Sequence, residues 1–200
     1  MLADFFDFDA DFQVHRRKLP HWTQGGVIYF VTFRLADSLP AIKLGEFNEQ
    51  KRCWLAQNPP PRTEHQIKEY RRNFSQRLHR WLDAGYGTCV LARPEMSQLA
   101  ESVLNYFNGQ RYVLGEHVVM PNHVHALVQP LAHHTLPRIL HSWKSFSAKQ
   151  INKLTGSRGP VWQAESFDHI VRSPDQLARI QKYIRDNPNS LSHPRLEGQQ

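Results

Sequence analysis

The sequence predicts an α+β fold, and three stretches carry that prediction. Residues 27–35 read VIYFVTFRL, a short run of β-branched and aromatic residues suited to a buried strand. Residues 111–130 read RYVLGEHVVMPNHVHALVQP, two strand-like runs meeting at Pro121 and Asn122, the pattern of an antiparallel hairpin. Residues 135–154 set Ile139, Leu140, Trp143, Phe146, Ile151 and Leu154 on one arc of a helical wheel, the mark of an amphipathic helix.

Composition bounds the rest. At 200 residues, 40% hydrophobic and 22% charged, the chain can bury one substantial core. We expect a mobile N-terminal arm (1–20), one domain (21–190) and a C-terminal tail (191–200). The 25 Lys and Arg against 18 Asp and Glu leave +7, which points to a polyanionic partner. Cys53 and Cys89 have no CxxC spacing, so neither a disulfide framework nor a cysteine zinc site is expected and a reducing cytosol fits. The acidic, aromatic start and the lack of an 18-residue apolar run argue against secretion and membrane insertion.

In chain order, the arm carries Arg16, Arg17 and Lys18 ahead of Pro20. Residues 27–35 should form a central strand, because the apolar run is almost unbroken. A helical insertion follows, with segments at 43–57 and 64–83 separated by Pro59, Pro60 and Pro61, and with its arginines, Arg71, Arg72, Arg77 and Arg80, read as a solvated face. Residues 88–91 fit a second strand, and residues 94–107 a helix with Pro94 and Glu95 at its start. A two-residue hairpin tip at Pro121 and Asn122 pairs Met120 with His123 and Val118 with His125. On that register His123 and His125 share a face, about 7 Å apart along the strand, Glu116 lies on the same face opposite Leu127, and His117 points the other way. Val124, Ala126 and Val128 fall on the core face. The polar side of the 135–154 helix lines up Arg138, Ser142, Ser145, Lys149, Asn152 and Lys153, a spacing that suits phosphate contacts and equally an ordinary wet face. Residues 166–172 fit a last strand. Ser173, Pro174 and Gln176 form a capping box for a final helix with Leu177, Ile180 and Ile184 inward, Tyr183 and Asn187 on one flank, and an end at Asn187, before Pro188.

Two histidines on one strand face suit one metal ion, with the Asn187 amide oxygen as a third donor if the last helix packs beside the hairpin. Such a set with open positions suits Mg²⁺ or Mn²⁺ better than a closed zinc site. Tyr183 could then attack phosphorus. Packing and hydrogen bonding would explain the same residues without chemistry.

The strings VVMPNHVHALV, Trp162 with Gln163, DHIVRS at residues 168–173 and YIRDNP at residues 183–188 resemble the REP-associated tyrosine transposases of the HUH single-strand nuclease superfamily. The resemblance spans residues 21–188 and is weakest over 43–83. It implies a ferredoxin-like antiparallel sheet with helices packed on one side and the histidines on a central strand. It also implies that His123, His125 and Asn187 bind Mg²⁺ or Mn²⁺ and that Tyr183 is the nucleophile. The implied reaction cuts single-stranded or hairpin DNA at palindromic repeats, leaving a 5′-phosphotyrosine and a free 3′ hydroxyl, in a bacterial cytoplasm near the nucleoid. DNA binding is expected from Arg16, Arg17, Lys18, Arg138, Lys144, Lys149 and Lys153, with Trp22 and Trp162 stacking on bases. Either a monomer or a homodimer fits. The alternatives are a catalytically silent DNA-binding protein and a metal hydrolase that does not need Tyr183.

Overall fold

The computed structural model describes residues 2, 4–6, 13–16 and 20–190, and of residues 13–16, 20–23, 41, 71, 79 and 188–190 it describes the backbone only. Arg17, Lys18 and the tail 191–200 therefore lie outside the described residues, as do the side chains of Arg16 and Trp22. A two-stranded ribbon, β1 (Gln13–Arg16) and β2 (Pro20–Thr23), precedes the main sheet. That sheet is built from β3 (Tyr29–Arg34), β4 (Tyr112–Met120), β5 (His123–Pro130) and β6 (Phe167–Ile170), in the order β4-β5-β3-β6 with every pair antiparallel.

Two βαβ crossovers produce this order. Between β3 and β4 runs α4 (Pro94–Asn105), and between β5 and β6 runs α5 (Leu136–Thr155). Both helices land on the same side, the outcome that right-handed crossovers impose, and the topology is the expected ferredoxin-like one. Tyr29, Val31, Phe33, Val124, Ala126 and Val128 face these helices and meet Met96, Val103, Leu104, Ile139 and Trp143 in the main core. The last helix, α6 (Pro174–Ser190), goes to the other face, where Ile184 joins Ile28, Phe30, Leu127 and Val171. One-sided packing thus holds for α4 and α5 only, because the apolar stripe of α6 needs the second face of the sheet.

The helical insertion is present as α1 (Ala41–Gln57), α2 (Glu64–Tyr70), a π-helical turn at Arg71–Ser75, and α3 (Gln76–Asp83). It has its own aromatic centre of Phe47, Trp54, Tyr70, Phe74 and Trp81. Arg77 is not on a solvated face: its guanidinium lies 5.0 Å from the Phe47 ring and 5.1 Å from the Trp81 ring, a stacking geometry that favours arginine over water.

Three local expectations are revised. Residues 88–91 are not a strand: Cys89 is left-handed (φ 49°) and Val90–Ala92 make a 3-10 turn. The Thr88 and Leu91 amides donate to the Asp37 carboxylate and the Pro121 carbonyl, not to a neighbouring strand. Phe146 and Leu154 are 53% and 60% exposed, because the sheet reaches only the Ile139, Trp143 and Ile151 arc of α5. Finally, α6 runs on to Ser190. Asn187, 4% exposed and one turn on from Tyr183, is held helical before a proline that costs only one bond near the helix end.

Candidate active site

The hairpin tip sets the geometry. Pro121 and Asn122 form the two-residue turn, Met120 pairs with His123, and Val118 pairs with His125. Alternation then puts both imidazoles on the α6 side of β5, and neither is exposed at all. A bulge lies between Leu114 and His117. A Cβ added at Gly115 in this bulge would run into Leu2 and Leu127. Bulges of this kind re-aim neighbouring side chains. Glu116 emerges on the α6 side, where its carboxylate accepts from Gln181 Nε2 at 2.9 Å and Arg185 Nη1 at 3.3 Å. It is therefore tied to the outer part of α6 and makes no hydrogen bond to Tyr183. His117 goes to the opposite side, with Nε2 2.8 Å from Glu101 of α4.

The final helix is started as its sequence predicts: Gln176 N–H donates to Ser173 Oγ at 3.2 Å, and the Gln176 side chain accepts from the Arg172 amide at 2.9 Å. Its apolar stripe seats Tyr183 over Phe30 and over the His125 ring, whose centroid is 5.2 Å away. The Tyr183 hydroxyl lies 3.1 Å from His125 Nε2, and the two Nε2 atoms of His123 and His125 lie 3.0 Å apart. The nucleophile candidate and both histidines thus converge within one chain.

A residue absent from the sequence reading joins them. Asp83 ends α3, and its Oδ1 lies 3.8 Å from His123 Nε2. The ligand atoms of Asp83, His123 and His125 all fall within 4.8 Å of one another. Asp83 Oδ1 is buried with no hydrogen-bond partner, and burial pushes its carboxyl up to about 6. A buried carboxylate oxygen without a donor is costly, and this one points toward His123 Nε2 where a cation could sit. One carboxylate oxygen and two imidazole nitrogens are a donor set that Mg²⁺ or Mn²⁺ accepts, with positions left for substrate oxygens. The available signal in the sequence was an acidic residue closing an amphipathic helix, where the helix dipole disfavours negative charge. Asn187 lies buried beside the phenol, one turn on from Tyr183. Burial raises the Tyr183 pKa well above its usual value, the Asp83 charge adds to this, and the neighbouring Asn187 amide opposes it.

Arg34 was also missed. It is paired across the sheet with His123 on the same face, donates to Ser38 Oγ at 2.9 Å, and has its pKa lowered by burial. The other expected DNA-binding residues lie elsewhere. Arg138, Lys149 and Lys153 are exposed on the outer side of α5, across the sheet from the histidines. Lys144 is half-buried and donates to the Ala164 carbonyl and Ser166 Oγ. Trp162 is 6% exposed, packs on Phe33 and donates to Ser147 Oγ, so it belongs to the core and not to a stacking surface. Among the described residues, no helix is long and apolar enough to cross a membrane.

Two solved structures are similar to the chain. One is a REP-associated tyrosine transposase bound to a REP hairpin, at 14% identity over 88% of this chain and 72% of that one, with a TM-score of 0.42. Another is a Deinococcus radiodurans R1 protein assigned as a transposase, at 16% identity over 80% of this chain and 90% of that one, with a TM-score of 0.43. No curated protein matches. The family model described as "Transposase IS200 like" matches residues 72–187. Because that match takes in more than half of the sequence, together with Asp83, both histidines, Tyr183 and Asn187, the chain belongs to the IS200-like transposase family.

Proposed function

We propose that this transposase cuts and rejoins single-stranded DNA, using Tyr183 as the nucleophile. The observation that supports the reading best is the approach of the Tyr183 hydroxyl to 3.1 Å from His125 Nε2, beside His123 and the unpartnered Asp83 oxygen. In the first step the Tyr183 hydroxyl releases its proton to solvent as its oxygen bonds to phosphorus, and the bond from phosphorus to the 3′ oxygen breaks. That oxygen takes up a proton and leaves as a 3′ hydroxyl, and the 5′ phosphate stays on the tyrosine. The phosphotyrosine bond keeps the energy of the broken diester, so the reverse attack by a 3′ hydroxyl rejoins a strand without ATP.

Asp83, His123 and His125 would hold a divalent ion, Mg²⁺ or Mn²⁺, with Asn187 close by. When bound, it supplies positive charge that polarises the scissile phosphate and favours the phenolate. The protein does the rest. Phe30 and the core-facing stripe of α6 hold the phenol over His125, with the buried Asn187 amide one turn further along the helix. The motif resemblance makes a folded-back repeat the target class. The exposed cations Arg138, Lys149 and Lys153 would hold the paired stem away from the reacting phosphate, with affinity falling as salt rises.

The test uses purified protein with 5′- and 3′-labelled single-stranded hairpin oligonucleotides, Mg²⁺ or Mn²⁺, and the Tyr183→Phe variant. A metal-dependent covalent adduct on the 5′-phosphate fragment, reduced roughly a thousandfold or more in the variant, supports the reading. Hairpin binding with no adduct in either metal would instead identify a catalytically silent DNA-binding protein. Cleavage that survives Tyr183→Phe would identify a hydrolase of another kind.

A further inference from the structure

We propose that Asn122 and Thr32 are positioning residues that set where the protons sit on the two imidazoles: Asn122 locks His123 in one tautomer, and Thr32 lets His125 exchange between two. The role of Asn122 stands on the protein's own hydrogen bonds, and the role of Thr32 rests in addition on the metal reading above.

The assignment follows from direction. The Tyr86 carbonyl can only accept, and Asn122 Nδ2 donates to it at 2.9 Å. The amide is thereby oriented with its oxygen toward His123, 2.7 Å from Nδ1. An amide oxygen also only accepts, so His123 Nδ1 carries a proton, and in the neutral ring its Nε2 is bare. That bare nitrogen is 3.0 Å from His125 Nε2, where a second lone pair would repel it. In the metal-free protein His125 therefore carries its proton on Nε2, shared between His123 and the Tyr183 oxygen at 3.1 Å. His125 Nδ1 is then the acceptor, and Thr32 Oγ1, 2.7 Å away, donates to it.

The two histidines are held unequally. To offer Nε2 to a cation, His125 must give up the proton there and gain one at Nδ1, remaining neutral. The Thr32 hydroxyl permits this by rotating from donor to acceptor. Asn122 permits no such exchange at His123, because turning its amide over to donate to a bare Nδ1 would set its oxygen against the Tyr86 carbonyl. The lock is rigid at its far end too. Gly87, next to Tyr86, has φ 94° and no room for a Cβ, which would sit 2.6 Å from the Asp37 carbonyl oxygen, while the Thr88 amide donates to Asp37 Oδ2 at 2.8 Å.

The experiment uses the full chain, ¹⁵N-labelled, at neutral pH, with long-range ¹H–¹⁵N spectra of the imidazoles recorded first in chelator and then with Zn²⁺ as a diamagnetic probe. We expect His123 on Nδ1–H throughout, and His125 on Nε2–H in chelator and Nδ1–H with the ion. Thr32→Val should keep the metal-free pattern and bind Mn²⁺ about tenfold or more weakly by calorimetry, with Thr32→Ser restoring affinity. Asn122→Leu should lose the single His123 tautomer while its melting curve remains cooperative. His123 protonated on Nε2 in chelator would overturn the lock, and Thr32→Val binding Mn²⁺ like the parent would overturn the exchange. A chain that shows the expected metal-free tautomers and takes up no ion supports the lock while removing both the exchange and the metal reading.

Discussion

On one face of the sheet, Val31, Phe33, Val124, Ala126 and Val128 are at most 2% exposed and meet the side chains of α4 and α5; on the other, Thr32, His123 and His125 are at most 4% exposed. Burial is equal and chemistry is opposite. The first face gains from every apolar group removed from water. The second must offset the desolvation of each polar group with a placed partner, and it does so for Thr32, His123 and His125 but not for Asp83 Oδ1. Stability is thus concentrated on the α4/α5 side, and the α6 side gives some of it up to keep a converging set of donors.

The largest expected effect breaks the stabilising face alone. Trp143 is 2% exposed, lies tilted against Phe33, and donates to the Tyr112 hydroxyl at 2.9 Å. Trp143→Ala should cost about 3–5 kcal/mol by urea denaturation. Protein that remains folded should keep its Mn²⁺ affinity, since α5 packs on the sheet face opposite the one that carries His123 and His125. A loss of affinity as large as the loss of stability would show that the two faces are not separable.

Asp83→Asn probes the other face with the opposite sign. Loss of a ligand charge should weaken Mn²⁺ binding by roughly tenfold or more. In chelator the same change should stabilise the fold. The Asp83 carboxyl is raised by burial from 3.8 to about 6, so the folded chain holds that proton more tightly than the unfolded chain. The penalty is absent below pH 3.8, grows up to about pH 6, and stays constant above it. With the side chain 26% exposed, relief at pH 7 should be on the order of 2 kcal/mol, read as a higher melting temperature that disappears in acid. A variant that melts lower at pH 7 would mean that Asp83 supports the fold and not the ion.

The same contrast decides what could be read from the sequence. Val124, Ala126 and Val128 alternate with His123, His125 and Leu127, so period two and a two-residue turn were enough to sort side chains between faces, down to the pairing of Val118 with His125. The capping box at Ser173 and the spacing of Tyr183 and Asn187 likewise depend on neighbours in sequence. Asp83 stands 40 positions before His123 in an insertion whose docking no local pattern encodes, and Arg34 needed the β3–β5 register. Trp162 was misjudged because glycine and proline beside it suggest exposure, whereas its indole N–H found Ser147 in the core. Phe146 erred the other way, since a wheel gives an arc but not the width of the sheet that covers it.

The smallest expected effect concerns the polar pair at the rim of the apolar face. His117 projects from β4 toward α4, where its Nε2 meets Glu101 at 2.8 Å and its Nδ1 donates to the Gly115 carbonyl at 2.8 Å. The Glu101 hydrogen bond raises the His117 pKa above its usual 6.5, against a burial effect that lowers it. A histidine with a raised folded pKa adds stability that is fully present below pH 6.5 and is lost as pH rises through the folded value. Glu101 is 39% exposed, so water screens the pair and the contribution should stay under about 1 kcal/mol. The melting temperatures of the parent and His117→Gln should therefore differ most below pH 6.5 and converge as pH rises through the folded pKa, with cleavage yield unchanged because His117 faces away from Tyr183. A gap that is flat with pH would assign His117 a packing role only, and a fall in cleavage would mean that the β4 bulge transmits this contact to the histidine face.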